Sequence, residues 1–223
     1  MQRNIMTPPI HHLVWCTPNN FLPKFYAFRA SWMRCNPAWD FRFWRLEDLP
    51  YDKFPPICAE MLRHPDLHWV LKSDIARWLL VWFYGGIYSD TDVECLKPMD
   101  IFLKDIAFCG KSITPGIAGN AVVGSAKGYP LFLQIACAHA EKIKGNLADA
   151  NKNIVDYGVN LAGKMLLDCD KIYPQEYFYP VSWGQRKEGK VISPEQYPNA
   201  YCIHHWSGMD DDGWYRETIG KRK

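Results

Sequence analysis

The 223-residue chain predicts an α/β fold, a sheet sandwiched by helices in one domain over residues 1–223. Three observations lead there. Short apolar runs bounded by Pro, Gly and Asn alternate with longer stretches of helical period, which favours helices packed on a sheet. The length supplies one substantial core and is short for two. Hydrophobic residues make up 48 % of the chain and aromatic residues 15 %, ten of them Trp, so there is ample material for that core.

Ile10 to Cys16 reads as the first strand, ended by a turn at Thr17-Pro18-Asn19-Asn20. A helix from about Pro23 to Arg34 follows, broken by Asn36-Pro37, and Trp39 to Trp44 alternates as a second strand. Three prolines make Leu49 to Pro56 irregular. Trp69 to Tyr84 is the most apolar stretch, but Lys72, Ser73, Asp74 and Arg77 interrupt it. A membrane span needs roughly 20 mostly apolar residues, so this is a buried helix, stopped by Gly85-Gly86. Ile87-Tyr88-Ser89 then leads into Asp90-Thr91-Asp92.

Further along, Asn120 to Gly124 reads as a strand and Lys127 to Pro130 as a turn. Pro130 to Ile143 is a helix with proline at its first position. Ile154 to Leu167 is another helix, weakened by Gly158 and Gly163. A turn at Lys187 to Lys190 and a final strand at Tyr201 to Trp206 complete the order, with no internal repeat.

The formal charge is 26 minus 24, or +2, which gives no argument for nucleic acid as a partner. Lys221-Arg222-Lys223 is a solvated tail with a weak attraction for anionic membrane surfaces. The eight cysteines show no zinc-type spacing, and Met1 to Pro9 lacks the apolar run of a signal peptide. Both fit a reducing cytoplasm.

The chemistry concentrates around Asp90 and Asp92. In an extended segment side chains alternate with a period of two, so both carboxylates face one way and cradle a hard divalent cation. A bare D-x-D is more often an acidic turn. A calcium loop starting at Asp90 would need Gly at position 95 and Glu at 101, which hold Cys95 and Ile101. A phosphatase with Asp90 as nucleophile usually carries a small hydroxylated or apolar residue where this chain has Glu94. Asp74 and Arg77, three apart on one helix face, are a surface ion pair or, in so apolar a segment, a buried functional notch. Trp15 is either core or the wall of a site at a strand's carboxyl end. His204 and His205 are either hydrogen-bonded structure or contacts for metal and phosphate.

Taken in order, these residues resemble glycosyltransferase family 32, the D-x-D sugar-transfer region shared by yeast-type mannosyltransferases, capsular polysaccharide transferases and large glucosylating toxins. His12-Leu13-Val14-Trp15 is similar to its opening H-x-x-W, and Trp32, Asn36-Pro37-Ala38-Trp39 and Trp44 to its W, N-P and W spacing. Ser73-Asp74-Ile75-Ala76-Arg77 resembles S-D-x-x-R, and Gly85 to Val93 resembles G-G-x-Y-x-D-x-D-V. Asn120 with Gly128-Tyr129-Pro130 resembles the N segment before G-H-P, and Ile203-His204-His205-Trp206 the closing I-H-H-W. Two departures stand out. Ala162-Gly163-Lys164 replaces a G-P pair, and the expected S-W is stretched to Ser207 through Trp214.

The resemblance implies a GT-A fold, a Rossmann-like mixed sheet between helices with a nucleotide-sugar at its edge. It implies a retaining hexosyltransferase using Mn²⁺ or Mg²⁺, a UDP- or GDP-hexose donor, and a glycan or glycolipid acceptor. Asp92, Asp90 and Arg77 would be catalytic, and Asp90, Asp92 and His204 would hold the metal. Trp15 would stack on the base, Asp74 and Arg77 would hold the sugar and its phosphate side, Tyr88 would line the nucleotide pocket, Asp90 would reach the ribose, and Asn120 would join them. The setting implied is cytoplasmic, without a transmembrane segment and with peripheral membrane contact at the inner face. The rivals are the Asp90 phosphatase and an inactive carbohydrate-binding relative.

Overall fold

A computed structural model describes residues 6–17, 21, 23–187 and 193–207. The expected turns at 18–20 and 188–190, the Asp210-Asp211-Asp212 run, Trp214 and the basic tail lie outside the described residues.

The chain opens with β1 (Ile10–Trp15), α1 (Pro23–Cys35), β2 (Asp40–Arg45), α2 (Pro56–Arg63) and α3 (Trp69–Tyr84). It continues through β3 (Gly86–Ser89), β4 (Val93–Cys95), β5 (Ala107–Lys111), β6 (Ala118–Ser125) and α4 (Pro130–Gly145). Then come α5 (Leu147–Lys152), α6 (Ile154–Tyr157), α7 (Val159–Met165), β7 (Lys171–Tyr173), α8 (Gln175–Phe178), α9 (Trp183–Lys187) and β8 (Cys202–His204).

Six strands form one sheet in the order β2-β1-β3-β6-β5-β7. Strands β2, β1 and β3 run parallel, β6 is antiparallel to both β3 and β5, and β7 is parallel to β5. The sheet is therefore mixed, as expected. Alternation along its strands feeds two apolar layers. Tyr88, Val123 and Cys109 face a core shared with α2, α3, α4 and α7, whereas their neighbours Ile87, Val122 and Phe108 join Trp32, Phe102 and Phe178 on the opposite side.

Helix α3 is nearly all core: Leu71, Ile75, Ala76, Trp78, Leu79, Leu80 and Val81 are fully buried. It stops at Gly85 (φ 71°) and Gly86 (φ 105°), left-handed backbone that suits glycine. A Cβ on Gly86 would also stand 2.5 Å from the Ile10 carbonyl oxygen, so β3 can lie this close to β1 only with glycine there.

Three expectations need correction. Asp90-Thr91-Asp92 is not extended: β3 ends at Ser89, and the Val93 amide closes a turn onto the Asp90 carbonyl at 3.1 Å. The helix expected over Ile154 to Leu167 is three pieces, α6, α7 and a 3-10 turn at Leu166–Asp168, because Gly158 breaks it with φ −102° and ψ −95°. The stretch from Leu49 to Pro56 holds a 3-10 turn at Tyr51–Lys53, and Pro56 begins a helix. The final strand pairs with β4 in a separate two-stranded sheet.

Candidate active site

Helix α3 and strand β3 present Arg77 and Tyr88 side by side, the guanidinium 4.7 Å above the phenol ring. Arg77 is 5 % exposed and gathers three oxygen partners: Asp74 Oδ1 at 2.7 Å, Asp90 Oδ1 at 2.8 Å and the Asn120 carbonyl at 2.9 Å. The Tyr88 hydroxyl donates to the same Asp90 Oδ1 at 2.7 Å. Two donors therefore occupy one oxygen of Asp90.

On the other side, the chain leaving β8 folds around Asp92. His204 Nε2 lies 3.2 Å from Asp92 Oδ1, the Ser207 amide donates to Oδ2 at 2.7 Å, and the His205 amide donates to the Asp92 carbonyl at 2.9 Å. Trp206, at φ 55°, supplies the left-handed step between His205 and Ser207, and its indole donates to the Val181 carbonyl at 3.0 Å.

Asp90 Oδ2 is left after these pairings, and it faces the Asp92 Oδ1–His204 Nε2 pair. His204 Nε2 is 3.9 Å from Asp90 Oδ2, and the three side chains offer ligand atoms all within 4.8 Å of one another. Two carboxylates and an imidazole suit a divalent cation such as Mn²⁺ or Mg²⁺ that keeps open positions for other oxygens. The turn, like the extended segment that was expected, leaves an oxygen of each carboxylate near the other.

The electrostatics reflect these pairings. Burial alone would lower the imidazole of His204, but Asp92 and Asp90 outweigh it and hold it above its usual value. Burial would likewise raise the Asp92 carboxyl, yet His204 and the Ser207 amide keep it below the usual carboxylate range. Burial pushes Asp74 up to about 6 despite the adjacent Arg77, and pushes Tyr88 well above the ordinary phenol range.

The cluster sits at one side of a cavity of about 480 Å³ lined also by Trp15, Phe25, Trp69, Asn120, Tyr179 and Trp206. Trp15 is 3 % exposed, with its ring edge-on to Phe21 and Phe25 at 5.1 and 5.6 Å, so it forms wall rather than an open platform. Asp74, 1 % exposed, does not line the cavity but stands behind Arg77. Arg77, Tyr88, Asp90, Asp92, Asn120 and His204 all do, whereas His205 turns to Glu94 and Phe28 instead.

Sequence reasoning missed several contributors. The Ser207 amide is a backbone donor, and no side-chain pattern marks it. Tyr179, whose hydroxyl accepts from the Val122 amide at 2.9 Å, and Val155, Val159 and Trp183 at the cavity wall reach it from α6, α7 and the segments around α9. The aromatic surplus hinted only at Tyr179 and Trp183.

The chain is similar to several known glycosyltransferases. The chain is 29 % identical over 131 residues to inositol phosphoceramide mannosyltransferase 3 of Schizosaccharomyces pombe, covering 57 % of this chain and 36 % of that one. It is 26 % identical over 191 residues to human alpha-1,4-N-acetylglucosaminyltransferase, covering 75 % of this chain and 51 % of that one. The chain thus spans between a third and about half the length of these relatives. Among solved structures, the glycosyltransferase GlyE of Streptococcus pneumoniae in its apo form superposes with a TM-score of 0.54 at 11 % identity, over 96 % of this chain and 61 % of that one. The PaToxG glycosyltransferase gives 0.52 at 15 %, over 72 % and 68 %. These likenesses establish the GT-A fold. Residues 28–109, which run from α1 through the acidic turn to β5, match the family described as the glycosyltransferase sugar-binding region containing the DXD motif.

Proposed function

We propose that the chain, as one domain, is a metal-dependent retaining glycosyltransferase that moves a hexose from a UDP- or GDP-hexose to a hydroxyl of a glycan or glycolipid. The observation that carries this reading is the convergence of Asp90 Oδ2, Asp92 Oδ1 and His204 Nε2 beside Arg77 at the wall of a cavity of about 480 Å³. The relatives' names support a glycan or glycolipid acceptor.

Bound there, Mn²⁺ or Mg²⁺ supplies Lewis-acid stabilisation of the departing diphosphate. Arg77 and Tyr88 hold Asp90 through Oδ1, so its Oδ2 stays turned to the ligand side. The Ser207 amide does the same for Asp92. Arg77 adds a fixed positive charge where negative charge builds on the leaving group, and such preorganised charge needs no reorientation during reaction. Asp74 keeps that guanidinium in place from behind. Trp15 and Phe25 offer an apolar wall for the base, and Val155, Val159 and Trp183, each more than a third exposed, offer one for the acceptor.

Among the described residues no helix is long and apolar enough to cross a membrane. All eight cysteines are free thiols, which supports a cytoplasmic setting, at the inner face of a membrane when the acceptor is a lipid.

The test is turnover against a panel of nucleotide-hexoses with Mn²⁺ and simple sugar acceptors. Asp92→Ala, still folded by circular dichroism, should lose on the order of a hundred- to a thousandfold in rate. Undiminished transfer by that variant would remove the metal role. Phosphate release without transfer would return Asp90 to the role of phosphatase nucleophile.

A further inference from the structure

The last residue of β8 and the chain after it grip Asp92 through the His204 imidazole, the His205 amide and the Ser207 amide. The β4–β8 ladder is three residue pairs and ends at Val93↔His204. The Nδ1 of His204 is buried with no hydrogen-bond partner among the described residues. Metal-binding histidines usually fix their ring through a bond from the second nitrogen. Here the ring is aimed by where its backbone lies and by the rings of Trp206 at 4.1 Å and Tyr179 at 6.2 Å.

The next residue supplies that placement. His205 Nε2 meets Glu94 Oε2 at 2.9 Å, and its ring stacks on Phe28 of α1 at 4.5 Å and 22°. Both side chains are partly covered, 14 % exposed for His205 and 27 % for Glu94. The bond joins β4 to the residue just past β8, beyond the end of the ladder, while Trp206 anchors the far side on Val181. The Ser207 amide follows directly after these two anchors.

We propose that Glu94 and His205 are positioning residues for the cation site: their hydrogen bond, backed by Phe28, holds the 204–207 segment so that His204 Nε2 and Asp92 Oδ1 converge on one ion. The inference rests on the metal reading above and adds residues to it that do not touch the ion.

The test is Mn²⁺ titration of the full chain, with GDP or UDP present, followed by the six-line electron paramagnetic resonance signal of free Mn²⁺. Glu94→Ala should weaken Mn²⁺ binding by roughly 10- to 100-fold, the usual cost of losing such an outer partner. Glu94→Gln keeps an acceptor for the imidazole N–H and should stay within about threefold of the parent, a rescue that general destabilisation of the strand would not produce. Should Glu94→Ala fail to fold, His205→Asn removes the same bond while leaving the backbone amide on Asp92, and is read the same way. Parent-like Mn²⁺ affinity in a folded Glu94→Ala or His205→Asn protein would overturn the proposal. If the parent itself bound no Mn²⁺ with nucleotide, the metal reading would fail instead.

Discussion

Gly158 shows how one residue can govern the site from outside it. A Cβ there would lie 2.2 Å from Asp74 Oδ2, so the carboxylate that steadies Arg77 fits only against a bare backbone. Gly158→Ala should push Asp74 away, costing on the order of 1 to 3 kcal/mol in stability as an overpacked contact. Arg77 should loosen with it, and denaturant melts together with nucleotide affinity will read both effects. Trp15 sits at the border between core and site. Trp15→Leu keeps much of the packing but removes the aromatic face, and it should weaken nucleotide binding by roughly 1 to 3 kcal/mol if the base rests there. Unchanged affinity in calorimetry would leave Trp15 to the core alone. The acidic pair, Arg77 and the late histidine were legible in the sequence because each is a distinctive side chain at a distinctive spacing. Their division of labour was not. Which oxygen of Asp90 is used by Arg77 and Tyr88, and which remains open, depends on a turn that the D-x-D letters do not specify.

Long elements with strong periodicity were readable, and short ones were not. The helix ending at Tyr84 was placed because its apolar run, its polar notch and its double glycine agree. Strands β4 and β7, three residues each, are too short to show a period, and β5 (Ala-Phe-Cys-Gly-Lys) offers little alternation. The expected helix over 154–167 failed because Gly158 bends around Asp74, a contact from a helix some eighty residues earlier. The α3–α4 seam can be tested on its own. Trp78, fully buried, meets the Phe132 ring edge-on at 5.2 Å, and Trp78→Ala should cost about 3 to 5 kcal/mol in equilibrium unfolding. A cost well under that would mean the seam repacks.

At the scale of the whole molecule, the fold stores neutral imidazoles. Burial lowers His139 to about 3 and His12 to about 4, and holds His11 well below the ordinary 6.5. Neither ring nitrogen of His139 has a partner among the described residues. The unfolded chain takes up these protons below about pH 6.5 and the folded one does not. Stability is therefore intact above that value and falls as pH drops from 6.5 towards about 4, by about 1.4 kcal/mol per pH unit for each such group. Asp74, raised to about 6, works in the opposite sense: its contribution is full below 3.8 and is lost as pH rises through 6. His139→Leu should therefore flatten the acid limb of a stability–pH curve by about one group's slope. An unchanged limb would contradict the assignment.

All of this organises around one site, where a turn, a helix and the end of β8 bring two carboxylates and an imidazole together at the edge of a large cavity. The most direct measurement is thermal unfolding of the parent and Asp92→Ala with GDP or UDP, each with and without Mn²⁺. Nucleotide at a hundred times its dissociation constant should stabilise the parent by about 2.7 kcal/mol only when Mn²⁺ is present, and should leave the variant unmoved. Equal stabilisation with and without Mn²⁺, or in the folded variant, would contradict the account.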